Sequence, residues 1–157
     1  MNHRQLELVR SSYERIRRVR ALFADLFRRR LLLLAPELEP ALGDDWASWD
    51  TAFLDTVDGV VQGLDRLDVL LPALAAYARR LHGRGVTDAD YGVAGEALAW
   101  TVAQVVAGIP GALTAWRETY DLLTAVMRRA AIDSQGLPRP PRLPFVTRPY
   151  SDLPPPP

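Results

Sequence analysis

The sequence predicts an all-α domain of six or seven helices. Apolar residues recur at three-and-four spacing along most of the chain. No stretch alternates apolar and polar residues convincingly, so no strand is expected. Prolines and glycines fall between the periodic segments rather than within a repeating β pattern.

Taken in order, Leu6, Val9, Tyr13 and Ile16 begin an amphipathic helix. Val19, Leu22, Phe23, Leu26 and Phe27 continue it into the run Leu31 to Leu34, until Pro36 and Pro40 stop it. ELEPALGDD reads as a corner. Trp46, Trp49, Phe53, Val57, Val60, Val61 and Leu64 then predict a helix over about 45–64. Leu67, Leu70, Leu71, Leu74, Tyr77 and Leu81 share one face of the next, which Gly83 and Gly85 end. Thr87 or Asp88 can cap a helix whose Tyr91, Ala94, Leu98, Val102 and Val105 face inward. AGIPG breaks it. Leu113, Trp116, Tyr120, Leu123, Val126 and Met127 mark the last helix. The expected core comprises Phe23, Phe27, Leu54, Val57, Val61, Leu74, Leu98, Trp100, Trp116, Tyr120 and Leu123.

The helical domain is expected over 1–136, with an extended proline-rich tail over 137–157. Nine of the thirteen prolines lie in residues 138–157, where neither a helix nor a central strand can form. Polyproline-II-like backbone is the expectation. Within the tail, Arg139 to Leu153 combines proline and arginine spacing with the apolar anchors Leu143, Phe145, Val146, Tyr150 and Leu153. A docking segment for a protein partner, or self-association, is one reading; a passive surface tail is the other.

Composition removes many function classes. The 157 residues include no cysteine, which excludes disulfides, thiolate metal sites and cysteine nucleophiles. All 19 basic residues are arginine, so no lysine can form a Schiff base or grip a phosphate. Histidine chemistry rests on His82, because His3 lies at the terminus. No Ser-His-Asp set, clustered metal ligands or phosphate loop is visible, so a self-contained enzyme is not expected. Residues 1–30 hold nine arginines against three acids, while 35–70 hold nine acids against one arginine. The arginines wrap around their helix, so mutually attracting helix faces are expected rather than a nucleic-acid or membrane surface. No segment reaches the roughly 18–20 apolar residues of a membrane span, and the N-terminus is too charged for a signal peptide. A cytoplasmic location is the expectation.

LVRSSYERI, LFRRRLLLLAPELEP, VVQGLDRLDVLLPAL, GVTDADYGVAGEALAWTV and AWRETYDLLTAVM together resemble the bacterial single-domain haemoglobins and the haem domain of flavohaemoglobins. The resemblance covers residues 5–131 and implies a globin-like fold. It also implies a degenerate haem pocket. The proximal histidine position carries Leu81, and the porphyrin-stacking phenylalanine position carries Leu42. The distal tyrosine, glutamine and leucine positions carry Arg28, Trp49 and Phe53, while the family's tyrosine is kept as Tyr91.

Leucine cannot ligate iron. His82, one residue on, is rotated about 100° away from the apolar face of its helix. It reads first as an exposed or helix-capping histidine, with a shifted axial ligand as the alternative, for which Gly83 and Gly85 could allow a one-residue slip. Trp49 and Phe53 add bulk to the space of a porphyrin, so that space should have shrunk, with Leu42 against it. Trp100 and Trp116 match family tryptophans and read as ordinary core. Arg28 is expected to turn outward beside Arg29 and Arg30. Pairing with Asp50, or holding an anionic ligand, are its alternatives. The expected function is therefore a haem-free globin-like protein acting as a regulatory or protein-interaction module, without cofactor. The alternative is a haem protein binding oxygen, nitric oxide or another diatomic ligand through His82.

Overall fold

The computed structural model describes residues 1–83 and 85–133. The tail expected over 137–157, including the docking segment Arg139–Leu153, lies outside the described residues. Among the described residues all regular structure is helical. Six helices have fifteen residues or more: α1 (His3–Arg18), α2 (Arg20–Leu34), α4 (Trp46–Gly63), α5 (Leu67–Gly83), α6 (Asp88–Val105) and α7 (Ala112–Ile132). A 3₁₀ turn (Pro36–Leu38) and the four-residue α3 (Glu39–Leu42) make the corner after α2.

Most ends have a local cause. Asn2 and Gln5 form a reciprocal capping box at α1, and Thr87 with Asp90 forms another at α6. The Asp45 carboxylate accepts from Ser48 N at the start of α4. Gly111, at φ +79°, precedes α7. One end differs from expectation. The first periodic stretch is two helices, broken at Val19, whose φ and ψ of −125° and 31° leave the helical region. No proline or glycine marks this break, and the apolar phase runs on through it.

The most extensive helix pairings are α5 with α7 and α2 with α6. α6 and α1 also pack on α7, and α4 packs on α2 and, less extensively, on α5. The main core holds Val9, Ile16, Phe23, Leu54, Val61, Leu74, Leu81, Val102, Trp116 and Leu123. A smaller cluster under the corner holds Phe27, Leu31, Leu38, Leu42, Trp49 and Ala97, and Phe53 and Leu98 pack against both. Four expected core residues, Val57, Leu98, Trp100 and Tyr120, are half-buried. Trp100 is covered from outside by the Arg30 guanidinium, 5.1 Å above its ring. The sole buried tryptophan N–H with a side-chain partner among the described residues is that of Trp116, which donates to Ser12 Oγ at 2.9 Å.

The opposite charges of 1–30 and 35–70 meet across helices. Arg10 pairs with Asp65 at 3.1 Å, Arg20 lies 3.9 Å from Asp55, and Arg28 pairs with Asp50. The first two are substantially exposed and contribute little to stability. No described helix is long and apolar enough to cross a membrane.

Candidate functional site

Three aromatic residues on α2 and α4 share nearly parallel planes. Phe27 and Phe53 stack at 4.2 Å between centroids and 4° between planes. Trp49 lies 6.0 Å from Phe27 and 5.6 Å from Phe53, tilted by 13° and 12°. Trp49 and Phe53 are four residues apart, so one helical turn presents both rings on the same face.

These rings form one wall of a cavity of about 180 Å³. α5 contributes Leu74 and Leu81, α6 contributes Tyr91 and Leu98, and α7 contributes Trp116, Tyr120 and Met127. Several polar groups in the walls already have partners. Thr56 Oγ1 and Thr124 Oγ1 donate to the Ala52 and Tyr120 carbonyls, both at 2.8 Å. The Tyr120 hydroxyl donates to the Tyr91 carbonyl at 2.6 Å. Trp49 Nε1 and the Tyr91 hydroxyl belong to lining residues but are themselves fully covered, and neither has a hydrogen-bond partner. Their residues are 3% and 4% exposed. Burial is also the main reason that the Tyr91 hydroxyl is pushed up to about 12, which keeps it neutral.

Four of the seven residues singled out from sequence therefore meet at this cavity: Trp49, Phe53, Leu81 and Tyr91. Leu81 is 1% exposed and its side chain lines the wall. His82 is half-buried and is not among the lining residues. The end of α5 also opposes a slip. Val86 N–H donates to the Leu81 carbonyl at 3.1 Å and Gly85 N–H to the His82 carbonyl at 2.9 Å. Gly85 sits at φ +88°. This paired-bond C-cap spends the flexibility of Gly85 on holding Leu81 and His82 in their observed register. A group of three or more His, Asp or Glu side chains able to hold a metal is absent among the described residues.

Two expectations are corrected. Leu42 is buried, but in the smaller cluster with Leu31, Leu38 and Trp49 rather than on the cavity. The corner α3 carries it there, below the aromatic wall. Arg28 does not turn outward; it is 6% exposed. Its Nη1 pairs with Asp50, and its Nη2 donates to Asp25 Oδ1 at 2.7 Å. The Trp46 ring lies 4.8 Å from its guanidinium. Two carboxylates and an aromatic face compensate the buried charge, which the apolar spacing of α2 could not reveal. Sequence reasoning also missed the unpartnered polar atoms, because partnering depends on neighbours from other helices.

A second hollow, about 240 Å³, lies along α6 and α7 beside Gly92, Gly95, Glu96, Arg117, Asp121 and Arg128. No protein-family model matches the chain, and no curated protein matches it.

Proposed function

We propose that the chain is a globin-like protein that has lost haem binding and works as a regulatory or protein-interaction module. The observation that carries this reading is the cavity beside Leu81. Apolar cavities of about 150 Å³ admit one benzene ring. A space of about 180 Å³ is in that class and far below a four-ring porphyrin. The residues do not fit haem in chemistry either. Leu81 has no donor atom, and His82 is capped in a register that keeps it off the cavity wall.

The dominance of α5–α7 and α2–α6, helices distant in sequence, supports a globin-like arrangement over an up-and-down bundle. With the cofactor gone, contacts are what remain for function. The proline and arginine pattern of Arg139–Leu153 makes it the docking segment for a protein partner or a second copy.

The test is an absorption spectrum of the protein purified from cells supplied with haem. The expected result is no Soret band. A Soret band that disappears in His82→Ala would establish the haem-binding alternative instead.

A further inference from the structure

We propose that the cavity beside Leu81 is a binding site for an uncharged hydrocarbon group of about six to eight carbon atoms, reached from solvent between α4 and α5. This rests on the haem-free reading, since a porphyrin would claim the same walls. The chemistry of the wall selects the class of guest. None of the lining residues is charged, and the surface they present to the cavity is almost entirely carbon. Val61 of α4, Leu74 and Leu81 of α5, and Leu123 and Met127 of α7 are among them. The polar side chains of the wall are turned to other uses. Thr56, Thr124 and Tyr120 donate to backbone carbonyls, and Trp116 donates to Ser12. Trp49 Nε1 and the Tyr91 hydroxyl are sealed off by the surrounding protein.

A guest that carried a charge or a hydroxyl inside would therefore give up water without an adequate replacement. Water itself is a poor occupant, because a buried water needs two to four polar partners. A hydrocarbon loses no hydrogen bond there and removes its own surface from water. Size follows from the volume. A dry apolar cavity of about 150 Å³ takes benzene, and this one is about 180 Å³. Access follows from exposure. Thr56 is exposed, and Val57, Val60 and Tyr77 are half-buried, although all four line the cavity. They stand on α4 and α5, which pack on each other sparsely. The seam between these two helices is the mouth, so a guest enters without unfolding the stronger α5–α7 and α2–α6 pairings.

The probes are benzene and phenol, which share a ring and differ by one hydroxyl. NMR titration of the full chain, labelled at its methionine methyl groups, reads affinity and place together. The chain has two methionines, and Met127→Leu identifies the Met127 signal by its loss. Benzene should move that signal saturably, because the ring current of a bound guest acts on a methyl group in the wall. Phenol should bind at least about tenfold more weakly, the cost of a stranded hydroxyl. Ala94→Leu adds an isopropyl group to the α6 wall and should weaken benzene at least about tenfold. Leu81→Phe is the second filling variant should Ala94→Leu fold poorly, with the same expectation. A Met127 signal that benzene leaves unmoved, phenol binding as tightly as benzene, or full benzene affinity in a folded filling variant overturns the proposal. A Soret band in the purified protein would refute the haem-free reading and this inference with it. Failure of benzene to bind a sample without that band would refute this inference alone.

Discussion

Gly95 on α6 is the sharpest place to test the packing between α6 and α7. A Cβ there would lie 2.6 Å from Tyr120 Cε1 and 3.2 Å from Cδ1. Ordinary contact starts near 3.4 Å, so the ring would have to withdraw by about 0.8 Å. It is not free to do so, because its hydroxyl is tied to the Tyr91 carbonyl at 2.6 Å. The ring thus lies along one turn of α6, held at Tyr91 and passing over Gly95. Overpacking costs about 1–3 kcal/mol and a weakened hydrogen bond about 1. Alanine returns about 1 kcal/mol of helix propensity. Gly95→Ala should therefore destabilise by about 1–3 kcal/mol. Gly92, one turn earlier on the same helix, has no atom within 4 Å of its would-be Cβ. Gly92→Ala should stabilise by about 0.5–1 kcal/mol. At about 3 °C per kcal/mol, the two variants should differ in Tm by about 5–12 °C in thermal unfolding followed by circular dichroism. Equal melting temperatures, or a stabilised Gly95→Ala, would refute the reasoning.

Other outcomes follow from the same contacts. Trp49→Ala should cost about 3–5 kcal/mol in urea unfolding, as truncation of a core tryptophan does, and a near-neutral effect would mean that the ring faces solvent. Asp50→Ala should cost about 2 kcal/mol by leaving Arg28 buried with Asp25 alone, whereas Arg29→Ala, at an exposed pair with Asp25, should stay within about 0.5. Equal losses at both sites would show that the buried pair adds nothing. Burial, the main cause, pushes the Tyr13 and Tyr91 hydroxyls up from 10.0 to about 12. The unfolded chain then gives up these protons near pH 10 and the folded chain near 12, so stability should fall as pH rises through that window. A denaturation midpoint that stays flat from pH 10 to 12 would contradict this.

The helices were legible in the sequence because burial imposes a period that side chains cannot hide. Helix phase also separates Leu81, on the cavity wall, from His82, off it. Of the two caps the sequence offers, Thr87 and Asp88, the helix uses Thr87, whose side chain accepts from Asp90 N. The break at Val19 was not legible, since nothing in VRA forbids a helix and packing of α1 and α2 on different neighbours decides it. Arg28 was misread for a related reason. Its acceptors stand on α2 itself and on α4, and a charge in an apolar phase declares neither. Of the candidate site, the aromatic side was legible from the bulk of Trp49 and Phe53. The unpartnered indole was not, because a missing partner is a property of three-dimensional surroundings.

In the proposed reading, Leu81 and the aromatic wall, not some remote feature, keep haem out. A hemin titration of the unaltered chain beside the triple variant Leu81→His, Trp49→Gln, Phe53→Leu tests it most directly. The variant supplies a ligand and removes bulk from the cavity. The expected result is a one-to-one Soret band for the triple variant and the spectrum of unbound hemin for the unaltered chain. A Soret band of equal strength from the unaltered chain, lost on His82→Ala, would contradict it.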